Sequence, residues 1–263
     1  MAGLTPTDIF AFTCLFCIAA YLLYIVYYAI GLYDFNPLKK KMRLTPSDIA
    51  YVKTHVPGFN ELGPEASEKF LARLTWFVFK KPVAYKGQVA NKRTLKLLLG
   101  AAAIFLSMGM RRFKYIRSIR RVIIYPTAYI SVLNRRRHVG EYNPRLRAIV
   151  FSADRLLAGF EDGSDNINLA IHEFAHALYF ETKGRRNWEA KRFQWGFRKL
   201  ERFHSGRELP LAELDHLREY AKTNVFELFA VLAEHYFENP SAMQTKAPTL
   251  YSVLRKMLGF EGA

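Results

Sequence analysis

The hydrophobic pattern opens with a long unbroken run. Residues 9–33 contain no charged side chain. As a helix they would reach about 37 Å, against a hydrocarbon core of about 30 Å. The run therefore predicts a helix that crosses a bilayer with some tilt. Tyr24, Tyr27, Tyr28 and Tyr33 crowd its C-terminal end, where amphipathic rings suit a membrane interface. No basic segment precedes the run, and it is long for the apolar core of a cleaved leader, so residues 1–33 are expected to stay as an anchor. A second apolar stretch, residues 97–110, is flanked by Lys92, Arg93, Lys96, Arg111 and Arg112. It is short for a span, and a buried core helix is expected in preference to a re-entrant segment.

Elsewhere the pattern alternates between helical and strand periods. Residues 46–81 read as two helices, because Pro57, Gly58, Gly63 and Pro64 interrupt them. Phe70, Leu74, Phe77 and Val78 share one face of the second. Residues 83–89, the run Val122-Ile-Ile-Tyr125 ended by Pro126, and Ile149-Val150-Phe151 read as short strands. Residues 161–166, rich in Asp, Gly and Ser, read as a loop. Residues 169–180 form a helix with Asn166 or Asn168 as its N-cap. Residues 181–206 are polar, charged and aromatic, and in part helical. Residues 211–222 are a further helix candidate. A strongly apolar helix over 227–237 stops near Asn239-Pro240, and an amphipathic segment over 247–258 follows. No internal repeat is evident. The expected class is α+β, mostly helical around a small sheet, preceded by one transmembrane helix.

Charge adds orientation. The chain carries a formal net charge of +16, yet its first 38 residues contain no Lys or Arg. Only Asp8 is charged before the apolar run, and Lys39, Lys40, Lys41 and Arg43 follow it. The positive-inside rule places the N-terminus outside and the remainder in the cytoplasm, as a single-pass membrane protein. Residues 34–46 then form a basic juxtamembrane linker and 47–263 the domain. So uneven a charge calls for a negative partner. Basic clusters occur at Arg111, Arg112, Lys114, Arg117, Arg120 and Arg121, and again at Arg135, Arg136 and Arg137. With an anchor in the chain, anionic lipid is the expected surface and nucleic acid is not. The two cysteines, Cys14 and Cys17, both fall inside the apolar run. Their C-x-x-C spacing is read as two small apolar residues in a lipid-facing helix, not as redox chemistry.

The segment Ile171-His172-Glu173-Phe174-Ala175-His176 carries the candidate chemistry. Two histidines four apart stand one turn apart on the same helix face and can converge on one Zn²⁺. Glu173 lies too far round to be a ligand and can serve as the base that takes a proton from water. The flanks Leu169, Ala170, Ile171, Phe174, Ala175, Ala177 and Leu178 are apolar, so this helix is buried and its polar pair needs partners. A solvated face, the chance reading of so short a motif, would not be this apolar. A third ligand is needed. Glu227 is the first candidate, because an unpaired carboxylate among apolar residues is costly. His235 is its rival, and Glu234 is placed to support a ligand from behind. His55, His138, His204 and His216 have no supporting context.

These segments resemble a known family. The stretches are Val122-Ile-Ile-Tyr-Pro126, Ile149-Val150-Phe151, Asn168-Leu-Ala-Ile-His-Glu-Phe-Ala-His-Ala-Leu178 and Tyr220-Ala-Lys-Thr-Asn-Val-Phe-Glu-Leu-Phe-Ala-Val-Leu-Ala-Glu-His-Tyr-Phe-Glu-Asn-Pro240. Over much of residues 60–260 the chain is similar to the zinc peptidases of the Mlc titration factor A (MtfA) type. The resemblance implies a zincin-like fold and a gluzincin site, as in the catalytic domain of anthrax lethal factor, with Zn²⁺ as cofactor and a peptide or protein as substrate. His172, His176 and Glu227 match the family's metal ligands, and Glu173 its general base. Tyr220 matches a tyrosine that stabilises the oxyanion. Residues 149–151 match the edge strand along which an extended peptide docks. The chain departs from the family pattern at Ala153, where a Trp is usual, and at Tyr179, where Asp is frequent. Its segment between the two metal helices is shorter than in the bacterial soluble members, and most of the family also lacks an N-terminal anchor. Val231 stands where many gluzincins have an acidic residue. The alternative function class is a non-catalytic, zinc-containing membrane protein that sequesters a regulatory partner.

Overall fold

The computed structural model describes residues 5–29, 42–132, 134–163, 165–206, 213 and 217–260. The chain divides into two units, Met1–Arg43 and Leu44–Ala263. In the first, helix α1 (Pro6–Ala29) begins at Thr5, whose hydroxyl accepts from the Asp8 N–H while Asp8 accepts from the Thr5 N–H. None of its apolar window is buried, and it is long and apolar enough to cross a membrane. Cys14 and Cys17 are exposed free thiols on it. Most of the basic linker and the end of the tyrosine cluster lie outside the described residues.

The second unit is mostly helical with a small mixed sheet; across both units, 62% of the described residues are helical, with ten α-helices among them. Helix α2 (Pro46–His55) starts on a capping box, in which Thr45 and Asp48 satisfy each other's backbone N–H groups. Gly63 and Pro64 restart the chain as α3 (Pro64–Lys80), which buries Phe70, Leu74, Phe77 and Val78, the expected face. The apolar stretch at 97–110 belongs to α4 (Lys92–Leu106) and is buried from Leu97 through Leu106. It is a core helix, as its length required.

Four strands form the main sheet in the order β1, β2, β6, β5: β1 (Val83–Tyr85), β2 (Arg121–Tyr125), β6 (Ala148–Ser152) and β5 (Gly140–Asn143). β1 and β6 run parallel to β2, while β5 runs antiparallel to β6, with Gly140 opposite Phe151 and Asn143 opposite Ala148. A two-stranded ribbon, β3 (Tyr129–Ile130) and β4 (Arg137–His138), stands apart. One expectation is corrected here. Residues 149–151 are not an edge strand: β6 is paired on both sides, and the edges of the sheet are β1 and β5. The sequence Gly-Glu-Tyr-Asn of β5 has no alternation and a helix-breaking start, so it gave no strand signal.

Helix α5 (Ala153–Glu161) follows β6 directly and was also unforeseen. Helices α6 (Leu169–Thr182), α7 (Trp188–His204), α8 (Val225–Glu238), α9 (Pro240–Lys246) and α10 (Pro248–Leu258) complete the unit. Of the helix expected over 211–222, Glu213 is helical and Glu219–Lys222 is a 3-10 turn; residues 207–212 and 214–216 lie outside the described set. Helix α6 is central: it packs on α4, α5, α7, α8, β5 and β6. Phe174 anchors its inner face, with ring centroids 5.5 Å from Tyr115, 6.0 Å from Phe151 and 6.1 Å from Phe77. At its C-terminal end buried Glu181 accepts from the N–H groups of Arg117 and Ser118 and from the Ser118 hydroxyl. Buried Lys81 donates to the carbonyls of Lys114, Tyr115 and Ile119, so the connection before β2 is tied to the helix layer by side chains.

Candidate metal centre and its cleft

Both functional helices start from asparagine caps. The Asn168 side-chain oxygen accepts from the Ala170 and Ile171 N–H groups, its amide donates to the Gly159 carbonyl, and its own N–H donates to Glu234. One residue thus fixes the start of α6 against α5 and α8. Asn224 caps α8 in the same way through the N–H groups of Phe226 and Glu227. Glu227 therefore sits in the first turn of α8, where the helix dipole favours a carboxylate.

The two helices bring three side chains to one point. His172 Nε2 lies 3.0 Å from Glu227 Oε2, and His176 Nε2 lies 3.5 Å from the same oxygen. The ligand atoms of His172, His176 and Glu227 all fall within 4.8 Å of one another. The other nitrogen of His172, Nδ1, faces Glu234 Oε2 at 3.5 Å, and Glu234 is also paired with Arg218. Glu234 thus acts from two turns along α8, and the position where an acidic residue is absent, Val231, is simply buried core. His235 points elsewhere and is not part of the group; burial, with Arg218 and Lys246, pushes its pKa down to about 4.

Electrostatics follow from this crowding. Burial would discharge His172, but the carboxylates of Glu227 and Glu234 outweigh it and raise its pKa to about 10. Burial would likewise raise Glu227, yet the two imidazoles hold it well below the usual carboxylate range. The set of two imidazole nitrogens and one carboxylate oxygen, nearly dry and mutually attracted, fits a divalent cation of the kind histidine and carboxylate ligands take. Glu173 is outside the triad. It is 7% exposed, and burial raises its pKa, against the pull of His176 and His172. Its carboxylate faces the edge strand: a Cβ on Gly140 would lie 3.0 Å from Glu173 Oε1 and 2.5 Å from the Leu169 side chain, so a side chain there would displace the ends of both. Tyr220, on the 3-10 turn, is half exposed with its ring centroid 5.9 Å from that of His172. Burial and the nearby Glu227 carboxylate raise its pKa to about 12, so its hydroxyl keeps its proton and can donate.

His172, Glu173 and Tyr220 open into a cleft of about 610 Å³, walled by residues of β4 and β5, by α5 and by Arg218. His138, which had no context in the sequence, is in that wall. Gly140, Arg218 and the capping asparagine Asn224 were also not singled out; the last could have been found from its place three residues before Glu227.

Glu238 stands one turn beyond Glu234, is nearly buried, and neither of its oxygens has a partner in hydrogen-bond geometry. Burial pushes its pKa up to about 8, opposed by the Asn168 side chain and reinforced by Glu234 and Asp165. A raised folded-state pKa means that its contribution to stability is complete below the ordinary carboxylate range and is lost as pH rises toward 8. Glu238→Gln should therefore flatten the alkaline fall of the urea midpoint between pH 5 and 9. At pH 8 to 9 it should stabilise by up to about 5 kcal/mol, given roughly 1.4 kcal/mol per pKa unit between 4.5 and about 8. Parallel curves for the two proteins would contradict this.

Two comparisons with known proteins bear on this geometry. An uncharacterized protein of Synechocystis sp., slr2042, is 25% identical over 237 residues, covering 81% of this chain and 83% of that protein. Residues 36–258 match the family described as glucose-regulated metallo-peptidase M90. A metallopeptidase family implies a metal ion, and the His172, His176 and Glu227 cluster is where the described residues can hold one. The chain belongs to the M90 family of metallo-peptidases.

Proposed function

We propose that the protein is a zinc peptidase of the gluzincin type, held to a membrane by α1 with its catalytic unit in the cytoplasm. The observation that carries the reading is the convergence of His172, His176 and Glu227, with His172 and the buried acid Glu173 lining a cleft that reaches Gly140 of the edge strand β5. Zinc held by these three residues would supply Lewis-acid polarisation of the scissile carbonyl and activation of water. Glu173 takes the proton from the attacking water and returns it to the leaving amine. Its burial suits it to both transfers, since a carboxyl with a raised pKa holds a proton more readily. Tyr220 donates its hydroxyl to the oxyanion as the carbonyl carbon becomes tetrahedral. Glu234 orients His172 through Nδ1, with Arg218 neutralising it from behind. An extended peptide substrate pairs with β5, the corrected edge, and passes Gly140, where no side chain obstructs Glu173. The net positive charge after α1 supports the orientation.

The test is metal removal. Full-length protein treated with a chelator should lose peptidase activity on a mixture of generic peptides. One equivalent of Zn²⁺ should restore it, while Mg²⁺ should not, because that ion prefers an all-oxygen shell. Undiminished hydrolysis by metal-free protein would sink the proposal. A fully zinc-loaded protein that cleaves no peptide would favour a sequestering role instead.

A further inference from the structure

Helix α7 buries one face completely, through Ala190, Phe193, Gly196, Phe197, Leu200 and Phe203. Its apolar requirement is met by that face, yet its outer face carries two more large rings. Trp188 is 73% and Trp195 45% exposed. They alternate at helical spacing with the exposed cations Lys191 and Arg198, so indole and charge share one stripe. The stripe borders an open cleft of about 1020 Å³, to which α10 contributes Lys256, and no acidic residue lines it. Arg185 and Arg192, also in the lining, are occupied by Glu181 and by the carbonyls of Gly109 and Leu258. Lys191, Arg198 and Lys256 carry no such partner among the described residues.

We propose that this face of α7, with Lys256, docks on an anionic lipid bilayer. Trp188 and Trp195 enter the headgroup region, and Lys191, Arg198 and Lys256 pair with lipid phosphates and carboxylates. Two properties select a bilayer. Indole has an apolar body and a polar N–H, which is why it collects at membrane interfaces. Lys and Arg beside an anionic leaflet each strengthen attachment by about fivefold. A third is the chain itself: α1 is long and apolar enough to span, and the chain between Ala29 and Leu44 reaches at most about 50 Å, so an α1 fixed in a bilayer tethers the unit close to it and raises its local concentration there. The inference rests on the anchor reading for that last argument and on the exposed stripe for the rest.

The experiment uses full-length protein in vesicles containing brominated phosphatidylcholine, with and without about 30% phosphatidylserine. Flotation with the zwitterionic vesicles reports α1 alone. Quenching of tryptophan emission by the bromine atoms reports docking. Trp76, the one other tryptophan, is subtracted with Trp188→Phe/Trp195→Phe. We expect quenching to rise at least twofold with phosphatidylserine and to fall back at high salt or in Lys191→Glu/Arg198→Glu/Lys256→Glu. Those substitutions are on an exposed face, and an unchanged melting midpoint verifies that the fold persists. Failure to float would remove the anchor and leave the docking result readable by mixing protein with vesicles. Quenching indifferent to phosphatidylserine, or to the charge reversals, would overturn the proposal. So would RNA binding by the same stripe that displaces it from anionic vesicles.

Discussion

Glu227→Ala should empty the metal site. In wild type we expect close to one zinc per chain by elemental analysis after gel filtration, and in the variant close to none. The argument is geometric. Three donor atoms from two helices meet within 4.8 Å, and Glu227 Oε2 is the atom both imidazoles face. Without it the site retains two nitrogens from a single helix, too few for a cation that is held by at least three protein ligands in catalytic sites. Loss of even one supporting group typically costs 10- to 100-fold in affinity, and loss of a ligand should cost more. Nearby groups cannot substitute: Glu234 faces the opposite nitrogen of His172 and is committed to Arg218 and the Asn168 N–H, and His235 points away. Glu234→Gln should give the milder outcome, about tenfold weaker zinc, because it loosens His172 without removing a donor. Full zinc occupancy in Glu227→Ala would show that the cation, if bound, is held elsewhere.

Much of this site was legible before any coordinates, for reasons visible in particular residues. The i, i+4 spacing of His172 and His176 fixes their common face whatever the tertiary fold, and the apolar flanks announce that the face is enclosed. Glu227 could be singled out because charge amid Leu228, Phe229, Ala230 and Val231 demands a partner. The long periodic pattern of α3 placed it well, while α4, Lys92–Leu106, starts and ends a turn before the apolar run 97–110 that announces it. What was not legible depends on pairing across distance. β5 is four residues with no alternation, and only its contact with β6 makes it a strand, whereas the family resemblance points to Ile149-Val150-Phe151 as the edge. Gly140 carries no pattern at all; its meaning lies in the 3.0 Å left for Glu173. The outward tryptophans of α7 were visible as letters, but which face they occupy could be read only once Phe193, Phe197 and Phe203 were seen to be inside.

Glu173→Gln should leave the metal bound and abolish turnover. The substitution keeps shape and volume, so the contact with the edge strand at Gly140 persists and the α6 backbone has no reason to move. The triad does not include Glu173, so zinc content should match wild type. Stability should be equal or slightly higher, because a neutral amide replaces an acid whose charge is disfavoured by burial. What disappears is the group that accepts a proton from water and delivers it to the amine. Removing a positioned base costs about 10²- to 10⁴-fold. The fall should appear in kcat, with KM little changed, since Glu173 acts in the transition state while β5 and the cleft walls hold the substrate. This separates the variant from Glu227→Ala, in which metal and activity vanish together, and from Tyr220→Phe. Tyr220→Phe removes one oxyanion donor and should lose roughly 10²- to 10³-fold while retaining metal. A Glu173→Gln protein that cleaves peptides at the wild-type rate would transfer the proton chemistry to another residue. His138, in the wall of the same cleft, would then be the first to examine.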